Sequence, residues 1–290
     1  MDEELEQELI ERVKKDPFSL VNIKEQTEAI CLAAVKRNGN ALEYVKDQTE
    51  AICLEAVKNA IYTLEYVKDQ TEAICLAAVN HSALAIEYVK DQTEEICLKS
   101  VRRTPYTLEY IRNQTEKICL EAVSTDGLTL EYVKRQSEAI CLAAVNANPR
   151  ALKYVKHQTE SVCLAAVKQD GYMLKFVHNK TEMVCLEAVK ENGEALEYVK
   201  DKTNEICLEA LKQNFFAVRF IDVNDRNIAS IALEASLHHK NKDRNVLTKI
   251  IKKFNKDKEI VDFYTKHDLW KHVEFNKLNL KRLNNYTMVI

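Results

Sequence analysis

Hydrophobic and polar positions recur along most of this chain as a block, and the first full block is Gln26–Asp47, QTEAICLAAVKRNGNALEYVKD. The block returns every 22 residues, as the nine cysteines show: Cys31, Cys53, Cys75, Cys97, Cys119, Cys141, Cys163, Cys185 and Cys207. A fixed period of this length is typical of solenoids, in which each repeat packs on its neighbours. We call the residues at one repeat position a column, and name each column by its member in Gln26–Asp47.

Two columns hold residues that favour the start of a helix. The Thr27 column contains Thr, Ser137 or Asp225, and the Asn38 column contains Asp, Asn, Ser or Thr in every copy except Ala60. Every Gly and Pro of the chain follows the Asn38 column, and Pro is favoured in the first turn of a helix. We therefore predict two helices in each repeat: helix A, about 28–37 in the first full copy, and helix B, about 39–46.

Helix A is apolar over most of its circumference, so it should be buried between neighbouring repeats. The cysteines lie on this helix and no CxxC pair occurs, which favours small buried thiols over disulfides or metal ligands. We predict that all nine are reduced and free of metal. The Tyr44 column could be a stacking platform for ligands, but its spacing beside Leu42 and Val45 favours core packing.

The predicted fold class is all-α: an α-solenoid of about ten two-helix repeats with a non-repeat helical C-terminal cap. Residues 1–26 are a degenerate N-terminal capping repeat, residues 27–236 the solenoid, and residues 237–290 a C-terminal helical cap or docking segment. The last segment contains NVLTKIIKKF, which has the spacing of an amphipathic helix. We favour a cap that covers the last apolar face of the stack; a separate basic docking segment is the alternative.

Composition and motifs exclude several classes of protein. The net charge of −3 and the pI of about 6.2 argue against a protein built mainly to bind phosphate backbones. No apolar run is long enough to cross a membrane, and the acidic start lacks the pattern of a signal peptide, so we expect a cytoplasmic chain. No nucleotide-binding, hydrolase or zinc motif occurs, and we expect no enzyme activity, catalytic residue, cofactor or metal.

The motif ALEYVKDQTEAICLAAVKxNG resembles the tandem helical repeats of giant-virus (mimivirus-type) proteins, a domain-of-unknown-function family. The resemblance covers about residues 20–235. It implies a viral protein that acts in the cytoplasm of a host cell, and it brings no active site with it.

Function should depend on the columns that differ between copies. The Glu43 and Asp47 columns, which we expect to lie one helical turn apart, are acidic for four repeats, turn basic from Arg135 to Lys180 and then mix, so a candidate docking patch spans the repeats from about 131 to 202. We predict a protein-interaction scaffold or adaptor whose unidentified partner, an acidic protein, docks there; neutral drift of exposed residues is the other explanation. The candidate partner-binding residues are Arg135, Lys153, His157, Lys175, His178, Lys180 and Lys202. The alternative function is sequence-tolerant binding of nucleic acid.

Overall fold

A computed structural model describes residues 2–237, 244–254 and 256–269 of the chain. Helices are the only regular secondary structure in this part of the chain, which forms two compact units that divide between Val155 and Lys156. In both units a longer α-helix and a short 3-10 helix alternate, and successive repeats pack side by side, as predicted for an α-solenoid. Of the predicted C-terminal segment 237–290, residues 238–243, 255 and 270–290 lie outside the described residues.

The first unit contains seven α-helices, and each of them packs on the next. They are α1 (Glu3–Lys15), α2 (Glu28–Arg37), α3 (Glu50–Val57), α4 (Glu72–His81), α5 (Glu94–Arg103), α6 (Glu116–Thr125) and α7 (Glu138–Ala147). A six-residue 3-10 helix follows each one: Pro17–Asn22, Gly39–Tyr44, Ile61–Tyr66, Ala83–Tyr88, Pro105–Tyr110, Gly127–Tyr132 and Pro149–Tyr154.

The second unit continues the alternation and adds two further helices. Its described α-helices are α8 (Glu160–Val167), α9 (Glu182–Glu191), α10 (Asn204–Gln213), α11 (Arg226–Ser236), α12 (Arg244–Lys253) and α13 (Lys258–Lys266), and its 3-10 helices are Gly171–Phe176, Gly193–Tyr198 and Phe215–Phe220. Helix α13 packs on α11 and α12. The Arg226 guanidinium at the start of α11 pairs with Asp257 at 2.6 Å and with Glu259, which fixes the start of α13 beside α11.

Helix A begins where the sequence predicts it. The hydroxyl of Thr27 accepts a hydrogen bond from the N–H of Ile30, and the cap residue of every later copy does the same for its own helix. Such a bond satisfies one of the N–H groups that a helix leaves without a partner in its first turn. In the first full copy, α2 spans Glu28–Arg37, as predicted.

Helix B differs from the prediction in type and length. It is a 3-10 helix that spans Gly39–Tyr44, because Val45 adopts an extended backbone and its N–H closes the last turn on Leu42 O. Asp47 lies beyond this helix, so the Glu43 and Asp47 columns do not share a helical turn, and that part of the prediction is wrong. The predicted second cap is also incomplete, since Ser82 and Thr104 make no capping hydrogen bond and Ser236 belongs to α11.

The core lies between the two rows of helices and is built from the same columns in each repeat. In the first full copy Ile30, Ala34, Val35 and Leu42 have no exposed surface, and Cys31 is 2% exposed. The prediction that the Tyr44 column belongs to this core is wrong in part. Tyr44 and its described equivalents are only half-buried, because the 3-10 helix turns its last residue towards solvent.

Close approach of the two helix types depends on the glycine column. A Cβ atom on Gly127 would lie 2.2 Å from Ala144 O of the next α-helix, far inside van der Waals contact. No described glycine has a positive φ, so the column selects glycine for space, and not for an unusual backbone conformation. In the first unit Pro105 and Ala83 occupy the same column, which shows that other copies accommodate a side chain there.

The glutamine column joins each repeat to the next. The amide nitrogen of Gln92 donates to Ile86 O of its own repeat and to Tyr110 O of the following repeat, both at 3.0 Å. Its amide oxygen accepts the backbone N–H of Arg112 at 2.9 Å. Gln26, Gln48, Gln70 and Gln114 make the same three bonds. We call this series of bonds the glutamine ladder.

Two further columns strengthen the same edge of the stack. The ammonium of Lys46 donates to Ile23 O at 3.3 Å and to Lys24 O at 2.7 Å in the preceding repeat, and Arg112 repeats this arrangement. The cap hydroxyl of Thr49 donates to the carboxylate of Glu28 at 2.8 Å. The constant polar columns are therefore engaged inside the stack, and the variable columns are left for other roles.

Candidate interaction surface

The variable surface consists mainly of the Asn40 and Glu43 columns, which lie on the outer side of the 3-10 helices. In the first unit four exposed apolar residues share the Asn40 column: Phe18, Tyr62, Leu84 and Tyr106, at 42, 56, 45 and 43% exposure. Most large apolar side chains of the described residues are buried. Four exposed ones in a single column are therefore unusual. The sequence signal for this set is the recurrence of large apolar residues at one repeat position, separated by 22 or 44 residues.

Tyrosines of the adjoining column extend this exposed set. The ring of Phe18 meets that of Tyr44 edge to face at 6.1 Å between centroids. Tyr62 meets Tyr88 at 5.7 Å, and Tyr106 meets Tyr132 at 6.1 Å, in the same geometry. Such contacts hold the exposed rings in fixed orientations. We call these residues the aromatic row; its members are Phe18, Tyr44, Tyr62, Leu84, Tyr88, Tyr106 and Tyr132.

Glutamates flank the aromatic row in the first unit. Glu43, Glu65, Glu87, Glu109 and Glu131 are all exposed members of one column. The carboxylate of Glu43 raises the pKa of the Tyr44 phenol, and partial burial with Glu87 does so for Tyr88. The phenols therefore stay protonated at neutral pH, where they can donate hydrogen bonds, and the charge of this surface comes from the carboxylates.

The seven basic candidates from the sequence fall into different environments. Arg135 and Lys153 lie in the first unit and His157, Lys175, His178, Lys180 and Lys202 in the second. Arg135 and His157 are exposed members of the Asp47 column. The Lys153 ammonium lies 4.4 Å from the centre of the Tyr154 ring, and Lys175 lies 4.8 Å from that of Phe176, so both cations rest on aromatic faces of their own repeat.

Lys180 and Lys202 take the place of glutamine in the ladder and are only half-exposed. The Lys180 ammonium donates to Val177 O at 2.8 Å, and that of Lys202 donates to Val199 O at 2.6 Å. His178 occupies the Lys46 column, and its backbone N–H donates to Gln158 Oε1 at 2.9 Å. The structure thus places the ammonium groups of Lys180 and Lys202 in the internal bonding of their repeats. The other five candidates, Arg135, Lys153, His157, Lys175 and His178, are exposed.

The thiols have the surroundings that the sequence predicts. All nine cysteines are free and buried, and burial raises the pKa of the Cys31 and Cys97 thiols to about 11. Within the described residues, no group of His, Cys, Asp or Glu side chains is arranged to hold a metal ion.

Two concave regions accompany these surfaces. A groove of about 760 Å³ follows Thr115–Thr125, but all its lining residues belong to α6 and its cap, so no opposing wall brings side chains together. A smaller cavity of about 260 Å³ lies in the second unit beside Lys180 and Cys185.

Comparison with known families finds a partial match. The model of a domain of unknown function (DUF4116) matches residues 159–202 and again residues 184–226, in two overlapping segments. The first segment runs from Thr159, the cap of α8, to Lys202, the residue before the cap of α10, so it spans two repeats. No curated protein and no solved structure matches the chain. Within the described residues, no helix is both long and apolar enough to span a bilayer.

Proposed function

We propose that this chain is a non-enzymatic scaffold or adaptor that binds a protein partner through the aromatic row of its first unit. We further propose, from the resemblance of its repeats, that it is a giant-virus protein acting in the cytoplasm of the host. The observation that carries the interaction role is the set of exposed apolar side chains Phe18, Tyr62, Leu84 and Tyr106 in one column.

Exposed rings of this kind suit a protein interface. Tyrosine and phenylalanine offer a large apolar area at a small cost in conformational entropy, and they are enriched among the residues that dominate binding energies. The edge-to-face contacts already order Phe18, Tyr62 and Tyr106, which lowers the entropy lost on association. A partner that covers this row removes apolar area from water without first rearranging the rings.

The alternative, nucleic-acid binding, is less favoured by the same surface. Aromatic rings can stack on bases, but such sites also need cations that track the phosphates. Here the neighbouring column in the first unit supplies Glu43, Glu65, Glu87, Glu109 and Glu131, which repel phosphate. Binding of RNA or DNA that weakens steeply with salt would favour this alternative.

The test is affinity capture from host-cell cytosol with three versions of the full chain. Tyr62→Ala with Tyr106→Ala removes the centre of the aromatic row, and the control, Leu5→Ala with Met183→Ala, removes two comparably exposed apolar side chains of α1 and α9 outside the Asn40 and Glu43 columns. We expect a protein that the native chain and the control retain and that the row variant loses, with both variants as stable to urea as the native chain. Identical captured proteins with all three versions would exclude the row as the interface.

A further inference from the structure

The glutamine ladder is interrupted at Lys180, and the cavity of about 260 Å³ lies at this interruption. Its lining residues are Lys180, Glu182, Cys185, Val199, Lys200, Asp201, Thr203 and Ile206. Each of them corresponds to a residue around Gln26 in the first full copy: Gln26 itself, Glu28, Cys31, Val45, Lys46, Asp47, Thr49 and Ile52. The cavity therefore lies where a glutamine side chain is held in the intact rungs.

Lysine cannot replace the bonds that glutamine makes. An ammonium group has three donors and no acceptor, so the side chain at 180 cannot receive the backbone N–H of Lys200, the equivalent of the N–H that Gln26 accepts at 3.0 Å from Lys46. The Lys180 ammonium turns instead to Val177 O, at 2.8 Å. The sulfur of Cys185 contacts Lys180 O, as that of Cys97 contacts Gln92 O in an intact rung, so this thiol does not take over the bonds of the missing amide.

The groups around the cavity match one chemical group. In the intact rungs a primary carboxamide receives one backbone N–H and donates to two backbone oxygens, as Gln26 does with Lys46 N, Leu20 O and Tyr44 O. The equivalents here are Lys200 N, which belongs to a lining residue, Leu174 O and Tyr198 O, which belongs to the peptide bond leading into the lining residue Val199. A carboxylate fits less well, because it offers no donor to the two oxygens. The lining charges do not compensate for this, since Glu182 and Asp201 balance Lys180 and Lys200.

We propose that this cavity is a binding site for a primary carboxamide group, which completes the rung that Lys180 leaves open. Its volume is below that of ordinary drug-sized pockets, about 300–1,000 Å³, and suits a single small group. The carboxamide could come from a small free amide or from a glutamine or asparagine side chain of a partner. The site lies within the second unit and is independent of the aromatic row.

The experiment follows the backbone amide signal of Lys200 by NMR in the full chain labelled with ¹⁵N-lysine. Propionamide, the side chain of glutamine as a free molecule, is titrated against propionate, its carboxylate counterpart. Acetyl-glutamine-N-methylamide and acetyl-glutamate-N-methylamide form the second pair and represent a partner's side chain. We expect a saturable shift of the Lys200 signal with at least one of the two carboxamides and none with its carboxylate counterpart. The carboxamide that binds more tightly identifies the source.

Two variants make the assignment specific. Lys180→Gln supplies the missing carboxamide from the chain itself, so the shift should be lost although the protein stays folded. Lys202→Gln makes the same change of charge one repeat further on, at a residue that does not line the cavity, and should keep the shift. Binding that survives in Lys180→Gln, equal shifts from carboxamide and carboxylate, or no response to either carboxamide would each overturn the proposal.

Discussion

Each repeat cysteine lies among apolar side chains, and this burial determines the chemistry of its thiol. With a pKa of about 11 for Cys31 and Cys97, roughly one thiol in a thousand is ionised at pH 8, and the thiolate is the reactive form. All nine show the same direction of shift, with desolvation as the first cause. We therefore predict that a thiol reagent labels the native protein slowly at pH 8 and labels it fully in urea.

The same shift predicts how stability depends on pH. Folding raises the thiol pKa, so the unfolded chain loses these protons first as the pH rises. Their contribution to stability is complete below about pH 8.5, the ordinary thiol pKa, and is lost as the pH rises towards about 11. Urea unfolding between pH 8 and 10 should show this decline, and Cys97→Ala should make it shallower by up to ~1.4 kcal/mol per pH unit. Rapid labelling of several native cysteines, or stability that does not fall, would contradict the burial of the thiols.

For single residues, the sequence predicted which side chains are buried but not which hydrogen bonds they form. The Cys31 column was recognisable as core because apolar residues surround it in every copy. The hydrogen bonds of Gln26 and the partial exposure of Tyr44 could not be recognised from the sequence. The bonds of Gln26 reach Tyr44 O and Lys46 N in the following repeat, a separation that no local helical period reveals. The useful signal was the constancy of an uncharged polar residue through seven consecutive copies, Gln26 to Gln158.

At the scale of the elements, the two helices of a repeat differ in how they start. The α-helices begin with a hydroxyl or carboxylate that reaches the third residue on, as Thr27 reaches Ile30 N. Seven of the ten described 3-10 helices begin with an Asp or Asn that reaches the second residue on, as Asn38 reaches Asn40 N at 3.0 Å. Ser and Thr side chains are one atom shorter, and Ser82 and Thr104 make no such bond. This difference explains why the α-helix bounds were predictable and the second cap column was only partly so.

Ala60 allows a direct test of this second cap. It precedes the 3-10 helix Ile61–Tyr66 and has no side chain that can accept a hydrogen bond. We predict that Ala60→Asp stabilises the protein by about 1 kcal/mol, because the new carboxylate can accept the N–H of residue 62 as Asn38 does for Asn40. The measurement is the free energy of unfolding in urea.

Ala60→Ser is the matched control for this change. The serine hydroxyl can accept a hydrogen bond, but Ser82 makes no capping bond at this column. We therefore expect a smaller gain in the free energy of unfolding than with aspartate. Equal effects of the two substitutions, or destabilisation by aspartate, would show that the cap does not limit the stability of this helix.

At the scale of the whole molecule, charge is divided between repeats even though the net charge is only −3. The exposed Glu43 column is acidic through Glu131 and carries Lys153 and Lys175 in the next two copies. The sequence alone showed this change of sign. It could not show that the two lysines rest on Tyr154 and Phe176, because the outward direction of those rings depends on the 3-10 geometry.

We predict that Lys153, in the first unit, and Lys175, in the second, each attract an acidic segment of the partner. Reversing both to Glu should slow association with the captured partner and weaken its salt dependence, because charges at the rim of an interface act mainly on the association rate. The control is Lys99→Glu with Arg103→Glu, an identical change of charge on exposed residues of α5. Surface plasmon resonance at two salt concentrations gives both rates. An effect no larger than that of the control would mean that the basic residues are only solvated.

The glutamine ladder also bears on how such a chain can evolve. In each intact rung a glutamine side chain forms hydrogen bonds with backbone groups 18 and 20 residues further along the chain. If a whole 22-residue repeat of the first unit is duplicated or deleted, every other glutamine keeps its partners at these two separations. If a single residue is lost, the glutamine whose rung spans the deletion is no longer aligned with its partners. Unequal recombination can therefore add or remove whole repeats without disturbing the fold of the others. A lineage of such genes is expected to vary in length by multiples of the repeat.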